Sequence, residues 1–170
     1  MVADKKQTIT LRPVVDEDRE FLLEVYAAGR EIELSAVPWD AAMKHAFVEH
    51  QYSAQAAHYE QEYPGAKHEI IVSDGEDAGR IYLDRGTDEI AILDMAVLPG
   101  FQRRGIASEL VRRLQKESGL TGRSIRVFVE SFNPANQFFT GLGFIETSND
   151  GMSRRFDWKP VESDLSPGAN

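Results

Sequence analysis

The chain has 170 residues, 42% of them hydrophobic and 28% charged, with a formal charge of −9 and no cysteine. That length can bury a proper core, the missing cysteines exclude disulfides, thiolate metal sites and a cysteine nucleophile, and the acidic balance argues against a nucleic-acid partner, which needs Lys and Arg against phosphate. No run approaches the roughly 18 apolar residues of a membrane span, and the charged start Met1–Gln7 has no apolar stretch behind it, so neither a membrane partner nor a secretory signal is expected and a cytoplasmic location follows.

Thr8 to Val14 reads as a short strand with Ile9 and Leu11 on one face. Asp16 is positioned to cap a helix running to about Ala28, with Phe21, Leu22, Val25 and Tyr26 inward and Gly29 at its end. The stretch from Arg30 to Pro38 reads as an irregular linker. Asp40 then caps a long helix to about Glu62, on which Met43, Ala46, Phe47, His50, Ala54 and Ala57 recur at spacings of three and four and predict the buried stripe. Strands are expected at Glu69–Val72, at Arg80–Asp84 with Ile81 and Leu83 opposed to Arg80 and Tyr82, and at Glu89–Val97. The last of these is almost continuously apolar, as in a strand covered on both faces, and Asp94 is the one charge inside it.

A loop at Leu98–Phe101 leads to a helix predicted from near Arg103, with Ile106, Leu110 and Leu114 inward and Gly119 and Gly122 bracketing its end. Ser124–Glu130 is a strand, Asn133-Pro134 opens a short helix that stops at Gly141-Leu142-Gly143, and Asn149-Asp150-Gly151 joins two closing strands as a hairpin. The order β-α-α-β-β-β-α-β-α-β-β predicts a mixed α/β sheet with helices on both faces, in one domain over 1–159. Residues 160–170 have the composition of a disordered tail.

The chemistry concentrates where the buried strand, a short loop and a helix start follow one another at Gln102-Arg103-Arg104-Gly105-Ile106-Ala107. A helix start offers about four unpaired N–H groups and a partial positive charge. Small residues at Gly105 and Ala107 let an anion approach the backbone, and Arg103 and Arg104 add charge at the rim. An ordinary strand-to-helix turn with solvated arginines would look similar. Some thirty residues on, Asn133-Pro134-Ala135, Phe138-Phe139 and Leu142-Gly143-Phe144 follow the next strand. Gln102–Ala107 resembles the Gln/Arg-x-x-Gly-x-Gly/Ala signature of the GCN5-related N-acetyltransferase (GNAT) superfamily, and Asn133–Phe144 resembles that family's Asn-Pro-Ala…Leu-Gly-Phe segment. With the element order, the resemblance runs from about Thr8 to Trp158.

The resemblance implies a mostly antiparallel sheet of about seven strands, splayed between the fourth and fifth, and an enzyme passing acetyl from acetyl-coenzyme A to a primary amine of a small molecule or peptide. Backbone amides of Arg103 to Ala107, with Gln102 and Ser108, would hold the coenzyme A pyrophosphate. Met95, Ala96 and Val97 would pair with the pantetheine, an amide near Val97 would face the thioester oxygen, and Asn133, with Asn136 and Phe139, would complete the coenzyme contacts. Many relatives place a proton-donating tyrosine where this chain has Phe139. A thiolate, with a conjugate acid pKa near 8.5, leaves without much help, and Tyr82 is a possible substitute acid. Asp94 is the leading candidate base for the amine, with Glu130 second; Asp94 could equally be half of an ion pair with Arg80 or Arg126. Glu31, Glu33 and Trp39 are candidate lining for the acceptor pocket, although Trp39 could simply anchor the long helix. His45, His50 and His58 lack metal-ligand spacing, His50 reading as a half-buried residue on the stripe, so no metal is expected. A homodimer is a frequent solution for such folds. Two further readings stay open: a non-catalytic acyl-CoA-binding module, which the missing tyrosine feeds, and an acyltransferase for another short acyl chain.

Overall fold

The computed structural model describes residues 5–161, and the tail expected over 160–170 falls, past residue 161, outside them. Strands β1 (Ile9–Pro13), β2 (Lys67–Ser73), β3 (Glu76–Arg85), β4 (Glu89–Val97), β5 (Ser124–Glu130), β6 (Ile145–Asn149) and β7 (Ser153–Trp158) form one seven-stranded sheet in the order β1-β2-β3-β4-β5-β7-β6. It is mixed and mostly antiparallel, as expected, with β4 parallel to β5. That parallel register runs from Glu89↔Ser124 to Ile92↔Val127, and the two strands continue beyond it to Val97 and Glu130. The helices are α1 (Arg19–Gly29), α2 (Glu31–Ser35), α3 (Ala41–Glu62), α4 (Ile106–Thr121) and α5 (Ala135–Gly141).

Contacts group the described residues into two compact units, one of residues 5–82 and 94–106, the other of 83–93 and 107–161. In the first, Leu22 and Leu23 of α1, Leu34 of α2, Val48 and Tyr52 of α3 and Ile70 of β2 make a common core. Arg12 of β1 bonds both buried Asp18, at 2.8 Å, and Asp77 of β3, at 2.9 Å, tying the strands to the turn before α1. In the second unit, Phe139 packs edge-on against Phe138 and Phe144 at 5.0 and 5.2 Å between ring centres. There Gln115 of α4 donates to the Leu142 carbonyl at 2.8 Å, fixing the end of α5.

Several expectations are corrected by the packing. The linker from Arg30 to Pro38 contains α2, whose Leu34 is buried. Asp16 does not cap α1; the side chain of Asp18 accepts from the Val15 amide at 2.9 Å, and Asp16–Asp18 form a 3-10 turn. Asp40 does cap α3, accepting from the Met43 amide at 2.8 Å. The buried stripe of α3 is not the expected one: Val48 and Tyr52 are buried, Gln55, Ala56 and Tyr59 are half-buried, and Met43, His50, Ala54 and Ala57 are exposed. A tyrosine ring buries far more area than an alanine methyl, so the helix turns its tyrosines inward and leaves the alanines to solvent. Arg80 of β3 is buried, 2% exposed.

One glycine decides how closely β3 and β4 approach. A Cβ on Gly79 would collide with the Ala96 carbonyl oxygen and lie 2.9 Å from Val97 Cα, both backbone atoms that cannot swing away. Gly79→Ala is therefore expected to cost about 3 kcal/mol or more, the upper range of overpacking, whereas Gly100→Ala, with nothing within 4 Å, should stay within about 0.5 kcal/mol. Denaturant unfolding of the two variants checks the difference.

Candidate active site

The segment singled out by motif is a continuous run from β4 into α4. Ile90, Ala91 and Ile92 are buried, whereas Leu93 to Val97 are half-buried, so the strand loses cover where its parallel register ends. Leu98 donates from its amide to the Ala78 carbonyl at 2.8 Å, and Pro99–Phe101 make a single 3-10 turn. Gln102 then returns its side chain to the strand, Nε2 donating to the Val97 carbonyl at 2.9 Å. That bond holds the turn against the end of β4, a role for Gln102 that is structural and local.

Helix α4 starts at Ile106, not near Arg103. The residues between adopt left-handed backbone, with φ of 62° at Arg103 and 78° at Gly105. Gln102 to Gly105 are exposed, and no heavy atom lies within 4 Å of the place a Gly105 Cβ would occupy. The turn opens into a 16-residue helix, whose first amides have no intrahelical partner. Arg104 lies over the Phe101 ring at 5.2 Å, so its guanidinium is held beside the turn.

Asp94 is half of an ion pair. Its Oδ2 meets a terminal nitrogen of Arg80, and that same nitrogen donates to Gln55 Oε1 of α3 at 2.5 Å. Arg80 also sits over the Tyr52 ring at 5.4 Å. Arg126, the other partner considered for Asp94, pairs instead with Glu89 at 2.6 Å in the second unit.

The remaining candidates fall in different surroundings. Tyr82 stacks on His68, with ring centres 4.5 Å apart, and contacts Tyr59 at 5.1 Å. It lies three residues along β3 from Gly79, roughly 10 Å of strand away from the Val97 contact, so the structure does not bring it to Val97. Asn133 Oδ1 accepts from the Ala135 amide at 2.9 Å, and Asn136 Nδ2 donates to the carbonyls of Glu130 and Asn133 at 2.9 and 2.6 Å. Both asparagines thus shape the start of α5, and Phe139 is buried in its aromatic cluster, 4% exposed. Glu130 ends β5 with an exposed side chain. Trp39 packs on Phe47 at 5.3 Å between ring centres, anchoring α3, and Glu33 pairs with Arg30 at 3.3 Å. Glu31 lines a surface hollow with Glu24 and Lys44. Among the described residues no group of three or more His, Asp or Glu could hold a metal, and no helix is long and apolar enough to cross a membrane.

Sequence reasoning missed the aromatic cluster formed by Tyr52, Tyr59, His68 and Tyr82 around Arg80. The available signal was Arg80 itself, a cation two residues after Ala78 in a strand with apolar residues on both faces. Burial raises the hydroxyls of Tyr52 and Tyr82 above their usual range and Tyr59 to about 12. His68 is pushed down to about 4 from 6.5 by burial and by the Arg80 charge, with Asp18 opposing.

A profile of the acetyltransferase (GNAT) domain matches residues 30–165. No curated protein matches in sequence. The fold is similar to the PaiA N-acetyltransferase of Thermoplasma acidophilum, solved in complex with coenzyme A, at 18% identity and a TM-score of 0.66 over 89% of this chain and 99% of that one. It is also similar to an acetyltransferase of Thermus thermophilus (18% identity, TM-score 0.64, 89% and 97% covered). The ribosomal-protein-S18-alanine N-acetyltransferase of Escherichia coli is a third such fold (18% identity, TM-score 0.58, 96% and 98% covered).

Because the unfolded chain takes up a proton at His68 more readily than the folded one, stability should fall as pH drops from about 6.5 toward 4 and level off for this group below that. Asp18, held down to about 2 chiefly by its hydrogen bonds from Arg12, acts in a separate window below about 4. Unfolding measured from pH 7 to 4 should therefore be steeper for the wild type than for His68→Phe, which keeps the ring and cannot titrate. Equal slopes, or an imidazole NMR midpoint near 6.5, would contradict the burial argument.

Proposed function

The chain belongs to the GNAT acetyltransferase family, and on that premise we propose that it is an N-acetyltransferase using acetyl-coenzyme A and a primary amine of a small molecule or peptide. The observation that carries this is the uninterrupted run from the half-buried end of β4, through the left-handed turn at Arg103 and Gly105, into α4. Amides of Arg103 to Ala107, with Ser108, would hold the pyrophosphate, with Arg103 and Arg104 adding charge. Met95, Ala96 and Val97 supply backbone groups for the pantetheine arm, and the Val97 amide is assigned to the thioester oxygen. Gln102 acts indirectly, by holding the turn on Val97.

In the transfer, the ammonium loses one proton to free its lone pair, the nitrogen bonds to the acetyl carbon and gives a second proton to solvent, and the carbon–sulfur bond breaks to release a thiolate. A thiol pKa near 8.5 lets that thiolate leave unprotonated and take its proton from solvent. Phe139 offers no hydroxyl and Tyr82 points its ring at His68, so no protein acid is assigned. Asp94 is the carboxylate assigned to the ammonium: its Oδ2 is taken by Arg80, which leaves Oδ1 to meet the amine and orient or deprotonate it. Glu130 is the competing carboxylate. The buried phenylalanine at 139 favours one second reading, a non-catalytic acyl-CoA-binding module.

Thiol release from acetyl-coenzyme A across a panel of amines, polyamines and peptides tests the activity. Release with at least one amine supports the enzyme; coenzyme A binding with no release from any amine favours the non-catalytic module. With an active amine in hand, Gly105→Ala should raise the acetyl-coenzyme A KM about five- to thirtyfold with kcat little changed, because an L residue at this φ costs about 1–2 kcal/mol. Asp94→Asn should lower kcat/KM for the amine by about a hundredfold, the low end of what a general base contributes, and Glu130→Gln should leave it nearly unchanged; the reverse pattern assigns the carboxylate role to Glu130.

A further inference from the structure

Charge is unevenly placed along this chain. Against a formal charge of −9 overall, residues 98–116 hold five cations, Arg103, Arg104, Arg112, Arg113 and Lys116, and one carboxylate, Glu109. Glu109 is taken by Arg113 at 3.3 Å, and Glu117, the next carboxylate, by Arg85 and Arg123 at 2.7 and 3.1 Å. Arg112 and Lys116 are exposed, and among the described residues neither has an ion pair or a side-chain hydrogen bond.

Helix stability does not account for these two. Cations stabilise a helix from its last turn, where carbonyls are unpaired, and the last turn of α4 has no basic residue. Like charges four residues apart on a helix repel, and Arg112 and Lys116 stand at that spacing. Solubility does not account for them either, since two cations reduce the net charge of an acidic chain.

Their position on the helix is informative. Ser108, Arg112 and Lys116 recur every four residues and share one face of α4, while Ile106, Leu110, Val111 and Leu114 are buried. Side chains of a helix lean toward its N-terminus, so a long arginine at 112 reaches back over the turn that holds Ser108. Ser108 belongs to the segment assigned to the coenzyme A pyrophosphate, and Arg112 starts about 6 Å further along the axis. In coenzyme A a single ribose joins that pyrophosphate to a 3′-phosphate. A guanidinium fork and an ammonium suit a phosphate dianion, the first through paired N–H donors and the second as a point charge.

We propose that Arg112, assisted by Lys116, receives the ribose 3′-phosphate of coenzyme A. The chain then selects coenzyme A over donors that lack this group, such as dephospho-coenzyme A or a pantetheine thioester borne on a protein. The inference rests on the acetyl-coenzyme A reading above.

Calorimetric titration of the full chain with coenzyme A and with dephospho-coenzyme A, at low salt, tests it. The wild type should bind coenzyme A about tenfold more tightly, a gap that narrows as salt is raised. Arg112→Gln should weaken coenzyme A about three- to tenfold and leave dephospho-coenzyme A within about twofold, and Lys116→Gln should do the same more weakly. Arg113→Gln, whose guanidinium is held by Glu109, should change neither affinity by more than about twofold. Unchanged affinity for the dephospho ligand also shows that a variant is folded. Equal wild-type affinity for the two ligands overturns the proposal and leaves the acetyl-coenzyme A reading standing, as does an Arg112→Gln loss of the same size for both. If neither ligand binds, the acetyl-coenzyme A reading itself falls, and this one with it.

Discussion

The ion pair between Arg80 and Asp94 is the constraint around which the first unit is arranged. A guanidinium 2% exposed is tolerable only with an opposite charge at hand, because an unpaired buried charge costs several kcal/mol. Asp94 supplies that charge from the adjacent strand, and Gln55 and the Tyr52 ring supply the rest of the cation's surroundings from α3. The need to satisfy Arg80 accounts for the polar inner face of α3, with Gln55 and Tyr59 where aliphatic side chains would otherwise pack. Gly79, the residue before Arg80, completes the arrangement by letting β3 lie close against Ala96 and Val97. The same cation therefore fixes the end of β4 that leads to the turn at Arg103 and lines the hollow beside His68.

How much of this was legible in the sequence depended on whether a local rule or a long-range partner decided the outcome. The Asn149-Asp150-Gly151 hairpin, the Asp40 cap and the position of β4 follow from short-range preferences, and each appears as read. The stripe of α3 did not, because counting alanines as apolar overweights residues that bury little area, and only the partner strands reveal that tyrosines win. The burial of Arg80 was not legible for a related reason. Strict alternation predicts that a charged residue faces water, and a strand covered on both faces breaks that rule whenever a partner such as Asp94 is available. The helix start was placed too early by the same kind of local reasoning, since Arg103 takes a left-handed backbone that is uncommon outside glycine, asparagine and aspartate.

For the candidate site, the motif at Gln102–Ala107 lies on a turn whose local geometry the sequence did not convey. Gln102 works through the Val97 carbonyl, and Arg103 through its backbone as much as its charge. Asn133 and Asn136, assigned to the coenzyme by resemblance, spend their side chains on the start of their own helix. Phe139 belongs to the core of the second unit. The proposed donor site is therefore one continuous stretch of chain, and the proposed reaction relies on the leaving ability of a thiolate rather than on a placed acid.

The most direct test of this account is a titration of the labelled protein with coenzyme A, read at backbone amides by NMR. The account predicts that the largest shifts fall on Met95 to Val97 and on Gln102 to Ser108, with those of Arg103 to Ala107 lost in Gly105→Ala at the same ligand concentration. Coenzyme A binding that leaves these amides unmoved while others shift, or no binding at all, would contradict it.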